Sequence, residues 1–267
     1  MPVNPTKPRT VLVVHGVQVS SDKKLDQDKK IDELLRRRLG NIPLDIKTEL
    51  YRYENLNDAT LKKFNRLINI IAKTKVGAVL AKTVLDLVGD VVINLADGST
   101  AAKIRTGLRE RILQTYDSGN PCYVVAHSLG SIYAFDVINE LMKDNDLFLR
   151  DSRKTWPVQG FITIGSPIGL GMFRTKGRRA VSQLGAGDKW FRWSNYWDRT
   201  DPVVSGNIFG KQLNGFDIAE KYQTDNLNQG WVIRDIDVDT GKGWLMAHVA
   251  YWESPFVGDG LFNMVTN

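Results

Sequence analysis

Short apolar runs alternate along the chain with longer segments in which apolar residues recur at helical spacing. The short runs are rich in β-branched and aromatic residues, which is typical of strands buried on both faces of a parallel sheet. The predicted strands are Thr10–Gly16, Ile46–Tyr53, Cys122–Ala126, Val158–Ile164, Trp190–Trp197 and Trp231–Asp237. Because strands and helices alternate throughout, we expect an α/β domain with a mainly parallel sheet and helices on both faces.

The intervening segments predict helices. In Asp22–Leu39 the apolar residues form one face, and Gly40 follows where a helix C-cap belongs. Ala101–Tyr116 keeps the same spacing, and Ile132–Met142 is apolar enough to be largely buried. The sequence contains no internal repeat or low-complexity tract, so a single domain is predicted for residues 1–267.

Residues 56–97 interrupt this alternation and are predicted to form a helical insertion or cap. Within it, Val76–Leu95 is apolar except for a polar stripe at every fourth position, formed by Lys82, Asp86, Asp90 and Asn94. The ionisable groups in this run argue against a membrane span. Packing within the fold is the favoured interpretation, and a lid over an apolar site is the alternative.

Composition agrees with a globular domain. Apolar residues make up 42% of the 267 residues, enough for a sizeable core. The formal charge is 36 − 30 = +6, a mild excess that favours anionic membrane surfaces or acidic substrates. Such an excess is also common on enzymes without these partners. That interpretation is preferred, and peripheral membrane contact is kept as the alternative.

Cys122 is the single cysteine, and it lies in a predicted buried strand. No disulfide can form within the chain, which is typical of a reducing compartment. The segment Met1–Arg9 lacks the apolar core of a secretion signal. We therefore expect a cytoplasmic protein.

Candidate chemistry centres on Ser128, which lies between a predicted strand and a predicted helix. Ala126 and Gly130 flank it two positions away on either side, which gives the small-x-Ser-x-small pattern of a nucleophile elbow. Small neighbours are needed because the serine takes a strained conformation that exposes its hydroxyl. The alternative is an ordinary serine that caps the following helix.

A serine nucleophile needs a general base, usually histidine, and a carboxylate that orients it. The chain has three histidines. His127 is adjacent to Ser128, where neighbouring side chains point to different sides, and His15 stands at a strand end. His248, in a predicted loop after the last strand, is therefore the candidate for the base.

Asp198 and Asp201 both follow the predicted strand Trp190–Trp197, where an orienting carboxylate is expected. Asp201 is preferred on its motif, since Pro202–Val204 follows it directly. Asp198 has Arg199 beside it and is otherwise expected to be a solvated turn residue. A further set of aspartates is interpreted as a polar strand face, namely Asp235, Asp237 and Asp239.

Taken together, several short segments resemble the α/β-hydrolases of the lipase/esterase type. They are Val14–Val17, Ala126–Gly130, Thr163–Pro167, Asp201–Val203 and His248. They span nearly the whole chain in the family order Ser, Asp, His. Ala126 departs from the pattern, because the family usually has glycine there. The chain enters at what would be the family's third strand, which implies a minimal core covered by the insertion.

The resemblance implies a role for each site residue. Ser128 is expected to be the nucleophile, His248 the base and Asp201 its orienter, with an oxyanion hole from the backbone N–H groups of Val17 and Leu129. It implies hydrolysis of carboxylic esters through an acyl-enzyme, with lipid esters ahead of thioesters and amides. A non-catalytic binding protein on the same scaffold is the alternative, because fold does not fix function.

Other chemistries lack their residues. The sequence has no phosphate-binding Gly-x-x-x-x-Gly-Lys-Ser/Thr motif, no Cys-x-x-Cys and no His-Glu-x-x-His, so neither a cofactor nor a metal is expected. Gly169 and Gly171 lack the third glycine of a dinucleotide fingerprint. The basic loop Arg174–Arg179 has no nucleic-acid-binding motif beside it. The expected partner is a small-molecule ester or lipid, and nucleic acid is not expected.

Overall fold

A computed structural model describes residues 6–16, 26–53, 98–143, 157–169, 190–205, 215–222, 230–243 and 245–266. The insertion predicted for residues 56–97, with its apolar segment Val76–Leu95, lies outside these ranges, and so does the basic loop Arg174–Arg179. Within the described ranges, no helix has the length and apolar character needed to cross a bilayer.

The described strands form one parallel sheet. They are β1 (Arg9–Val14), β2 (Ile46–Tyr51), β3 (Cys122–His127), β4 (Gly160–Ile164), β5 (Trp190–Trp197) and β6 (Gly230–Asp237). Their order across the sheet is β2-β1-β3-β4-β5-β6, and each pair of neighbours is parallel. The mainly parallel sheet predicted from the apolar runs is confirmed.

Helices connect these strands. They are α1 (Gln27–Leu39), α2 (Ser99–Asp117), α3 (Leu129–Lys143), α4 (Pro202–Ser205), α5 (Ile218–Tyr222), α6 (Leu245–Ala250) and α7 (Pro255–Thr266), with 3₁₀ turns at Pro167–Gly169 and Tyr251–Glu253. The start predicted for α1, at Asp22, falls outside the described residues. Helix α7 was not predicted, although proline at its first position is typical of a helix start.

Side chains of each central strand alternate between two cores on opposite faces of the sheet. Along β1, Leu12 and Val14 join the core that contains α2 and α3, whereas Val11 and Val13 join the core that contains α1 and α7. Successive strand residues point to opposite faces, so a sheet covered on both sides has strands that are apolar throughout. Helices on both faces, as predicted, are confirmed.

Strand β2 ends at Tyr51, earlier than the predicted Tyr53. In the register of the sheet, Tyr51 pairs with Val14, the last residue of β1. The ladder stops there because β1, the strand paired with β2 in the described part of the chain, ends at Val14. Tyr53 turns inward instead, and its buried hydroxyl donates a hydrogen bond to the carbonyl oxygen of His15 at 2.7 Å.

The strand order of the sheet changes direction at β1, which makes β1 a topological switch point. Strand β2 lies on one side of β1 and β3 lies on the other. The segments that leave the carboxyl ends of β1 and β3 therefore emerge side by side, with His15 and Gly16 after β1 and Ser128 after β3. In open α/β sheets, ligands bind at such a point.

Candidate active site

Ser128 occupies a strained turn between β3 and α3. Its φ is 52°, in the left-handed region that residues with side chains rarely adopt. The Ser128 N–H donates to the carbonyl oxygen of Ile164 at 3.1 Å, and the Ser131 N–H donates to that of Ser128 at 3.0 Å. Ser128 is the one non-glycine residue with positive φ in the described part of the chain. Strain is thus concentrated at the candidate nucleophile.

Close packing explains the small residues around this turn. A β-carbon at Gly130 would overlap the carbonyl oxygen of His15. A β-carbon at Gly16 would lie 2.6 Å from the β-carbon of Ser128, well inside van der Waals contact. The segment that follows β1 therefore presses directly on the serine turn, and neither glycine has room for a side chain.

A chain of hydrogen bonds joins Ser128, His248 and Asp201. His248 Nε2 lies 2.9 Å from Ser128 Oγ, and His248 Nδ1 lies 2.9 Å from Asp201 Oδ2. A carboxylate only accepts, so Nδ1 donates to Asp201, and Nε2 is left to accept a hydrogen bond from the serine hydroxyl. The side chain of Asp201 is fully buried and that of His248 is 13% exposed. Such an arrangement can take the serine proton and stabilise the resulting imidazolium.

The positions of these parts along the sheet decide the fold. The serine turn follows β3, the carboxylate follows β5 and the histidine follows β6, which is the chain order of one large superfamily of parallel-sheet proteins. The chain has an α/β-hydrolase fold.

Two solved structures match nearly the whole chain. Est1E from Butyrivibrio proteoclasticus is 12% identical, and the match covers 99% of this chain and 91% of that one with a TM-score of 0.42. A structure of RedJ with a PEG molecule bound in the active site is 10% identical, with coverage of 99% and 95% and a TM-score of 0.42. No family model and no curated protein matches the chain. The α/β-hydrolase assignment accordingly rests on strand order and turn geometry.

Within the α/β-hydrolase fold, His248 lies on the short helix α6 and not in the predicted loop. The prediction was wrong because a helix of six residues is too short to show a helical periodicity of apolar positions. Gly241 and Gly243, just before the helix, also favour a loop. Ala247 anchors the helix from its buried side, whereas Met246 and Val249 are exposed.

Asp198 is buried at 3% exposure, which corrects its interpretation as a solvated turn residue. Its Oδ1 accepts hydrogen bonds from the N–H and hydroxyl of Thr200, and its Oδ2 accepts them from the N–H and hydroxyl of Thr240. Burial alone would raise the pKa of Asp198, but these hydrogen bonds hold it below its usual value. Asp198 therefore joins the loop after β5 to the segment after β6, and the carboxylate in contact with His248 belongs to Asp201.

The predicted oxyanion hole is described only in part. Leu129 is the first residue of α3, where backbone N–H groups lack partners within the helix. Val17 lies outside the described residues.

A buried hydroxyl pair that was not predicted holds this end of α3. The Ser131 hydroxyl donates to the carbonyl oxygen of Ser128 at 2.5 Å and lies 2.6 Å from Ser166 Oγ.

His127 contacts the candidate base, His248. Its Nε2 donates to the carbonyl oxygen of His248 at 2.7 Å, and the two rings are 4.7 Å apart. Burial and then the neighbouring His248 lower the pKa of His127 well below 6.5. His127 is thus a neutral donor that fixes the main chain of α6. His15 stacks on Tyr53, with ring centroids 4.5 Å apart.

Because folding lowers the pKa of His127, stability should fall in acid. Above its unfolded pKa of about 6.5, the residue is neutral in both states and the contribution is complete. Below that pH the unfolded chain takes up a proton that the folded protein refuses, so stability is lost by at most about 1.4 kcal/mol per pH unit. Thermal melts from pH 7.5 to 5 should show a shallower decline for His127→Asn than for the wild type. Parallel curves would assign the acid sensitivity to other groups.

The lack of a side chain at Gly165 leaves room for His248 and Asp201. Its φ is +56°, and a β-carbon there would lie 2.8 Å from the ring of Tyr251 and 3.1 Å from His248 Nδ1. We expect Gly165→Ala to lower kcat by about 100-fold, since an imidazole displaced by a fraction of an ångström no longer aligns with the serine. Gly241→Ala is the matched control, because Gly241 has a φ of +67° and open space around it. If both variants lose the same activity, backbone strain and not the clash is responsible.

Proposed function

We propose that this protein is a serine hydrolase that cleaves carboxylic esters through an acyl-enzyme. One observation carries the proposal: Ser128 Oγ, His248 Nε2, His248 Nδ1 and Asp201 Oδ2 form an unbroken chain with 2.9 Å at both hydrogen bonds. A serine that only capped α3 would have no need of a histidine and a buried carboxylate aligned behind it.

The proposed reaction has two halves. Ser128 Oγ attacks the ester carbonyl carbon while its proton moves to His248 Nε2, and Asp201 stabilises the imidazolium. When the tetrahedral intermediate collapses, the carbon–oxygen bond to the alcohol breaks and His248 gives its proton to the departing oxygen. Water then attacks the acyl-enzyme, His248 again takes a proton, and collapse releases the carboxylic acid and returns the proton to Ser128.

Charge on the substrate oxygen is stabilised by main-chain donors in this proposal. The Leu129 N–H lies at the amino end of α3, where the helix dipole favours negative charge. We propose the Val17 N–H as the second donor. Each such donor is typically worth about 2.7–4 kcal/mol of transition-state stabilisation. Cys122 is not a rival nucleophile, because burial raises its pKa to about 12 and keeps the thiol protonated.

We propose lipid esters ahead of thioesters and amides as substrates. The support is an apolar surface beside the base: Met246 and Val249 on α6 are 60% and 36% exposed and lie one helical turn apart. Apolar acyl groups gain about 0.8 kcal/mol per buried methylene on such surfaces. Peripheral contact with a membrane and a cytoplasmic location remain proposals that follow from the charge of +6 and the single cysteine.

A fluorophosphonate label tests the function directly. The wild type should be modified at Ser128 to one equivalent, and Ser128→Ala should stay unlabelled. A panel of p-nitrophenyl esters, matched thioesters and anilides then ranks the acyl length and the bond cleaved. A protein that takes no label and cleaves none of the panel is a binding protein on this scaffold.

A further inference from the structure

The hydroxyl of Tyr251 shares a carboxylate oxygen with the candidate base. It lies 2.9 Å from Asp201 Oδ2, the same atom that His248 Nδ1 approaches to 2.9 Å. The other oxygen of Asp201 accepts the Val203 N–H at 2.9 Å. Tyr251 and Asp201 are both fully buried. The carboxylate is therefore held at both of its oxygens, and rotation about its last torsion would break these bonds.

The position of the hydroxyl hydrogen follows from its two partners. The Asp198 N–H donates to the Tyr251 oxygen at 2.8 Å, so the hydroxyl hydrogen points toward Asp201. Burial, followed by the charge of Asp201, raises the pKa of Tyr251 far above its ordinary value of 10.0. The hydroxyl thus stays protonated and remains a donor across the whole working pH range.

We propose that Tyr251 is a positioning residue that sets the orientation and the basicity of Asp201, and through Asp201 the proton affinity of His248. This inference rests on the proposed function. A second donor on Oδ2 draws electron density from the atom that faces the imidazole. The carboxylate then stabilises the imidazolium less strongly than it would without Tyr251.

Tyr251 also joins the two segments that carry the base and the carboxylate. It stands three residues after His248 in the chain, while its hydroxyl bonds both the side chain of Asp201 and the main chain of Asp198. The titratable groups that face this assembly within the described residues are Asp198, Asp201 and His127, whose ring lies 6.4 Å from that of Tyr251. His127 is neutral, and Asp198 meets the hydroxyl through its main-chain N–H, so the carboxylate that Tyr251 contacts directly is that of Asp201.

Tyr251→Phe tests the assignment through the pH profile of kcat/KM for a p-nitrophenyl ester. We expect kcat to fall about tenfold, because an Asp201 carboxylate that lacks this hydrogen bond can turn and no longer holds the imidazole aligned with Ser128. The acid limb should move upward by about half to one pH unit, because His248 holds its proton more tightly. Tyr51→Phe is the control, since it removes a hydroxyl bonded to the Ile104 carbonyl oxygen at 2.8 Å, away from the site. A limb that does not move in Tyr251→Phe overturns the inference.

Two further measurements distinguish an effect through Asp201 from poor folding of Tyr251→Phe. Site-specific 3-fluorotyrosine at position 251 keeps the shape of the ring but is a stronger donor, so it should move the acid limb downward. In the Asp201→Asn background, Tyr251→Phe should slow fluorophosphonate labelling less than threefold, because the charged acceptor is already gone (about 0.65 kcal/mol at most). If the effects of Tyr251→Phe and Asp201→Asn add in full, Tyr251 does not act through Asp201. The same conclusion follows if fluorination leaves the acid limb of the pH profile where it was. A wild type that neither takes the label nor cleaves esters would instead refute the proposed function itself.

Discussion

Ser128→Ala should abolish ester hydrolysis and leave the fold intact. Loss of the nucleophile in serine hydrolases lowers turnover by up to about 10⁶. The Ser128 hydroxyl lies at the turn after β3, where it contacts His248 Nε2. Its removal therefore creates little cavity. Alanine also keeps the backbone cost of a φ of 52° unchanged. Turnover of a short p-nitrophenyl ester and the thermal midpoint should be measured on the same preparation.

The control for this variant is Ser131→Ala. It removes a buried hydroxyl that bonds the Ser128 carbonyl oxygen at 2.5 Å but does not contact His248. We expect it to lower stability by about 1 kcal/mol and to retain labelling at Ser128. If Ser128→Ala keeps more than about a tenth of wild-type activity, Ser128 is not the nucleophile.

Asp201→Asn should be far more damaging to turnover than Asp198→Asn. An amide in place of the orienting carboxylate favours the wrong imidazole tautomer and removes the charge opposite the imidazolium, at a typical cost of about 10⁴ in kcat. Asp198 contacts Thr200 and Thr240 instead of His248. Its conversion to asparagine turns one acceptor oxygen into a donor that faces other donors. The expected result is a lower melting temperature with kcat within about tenfold of wild type.

Both variants should be purified and compared by kcat and by melting temperature. Both substitutions place an amide N–H₂ group against existing donors, so both should lower the melting temperature, but only Asp201→Asn should combine this loss with very low turnover. The reverse ranking in kcat would move the orienting role to Asp198. Equal losses of stability and turnover in both would mean that the two aspartates act only in holding the loop after β5.

The strands and the serine turn could be predicted because their signals are local. In β3, every residue from Cys122 to His127 is buried. A strand buried on both faces is mostly apolar, and this apolar run is visible in the sequence. The small residues around Ser128 likewise follow from packing at one turn. Helix α6 was missed because its few residues gain stability from packing and not from a periodic pattern of their own.

The roles of Asp198 and Tyr251 had no comparable signal. Asp198 is paired with Thr240, 42 positions further along the chain, and Tyr251 is paired with Asp201, 50 positions before it. No pattern in the sequence near either residue indicates these partners. A buried aspartate and an exposed turn aspartate look alike until the sheet brings β5 and β6 together.

The wide spacing between Ser128 and His248 along the chain has a consequence for synthesis on the ribosome. Ser128 and His248 are 120 positions apart, so an emerging chain completes the serine turn well before the last strand and α6 are made. At about 5–20 residues per second, that interval lasts about 6–24 seconds. During it, the proposed nucleophile has no proposed base beside it, and the half-built protein should be inert toward esters.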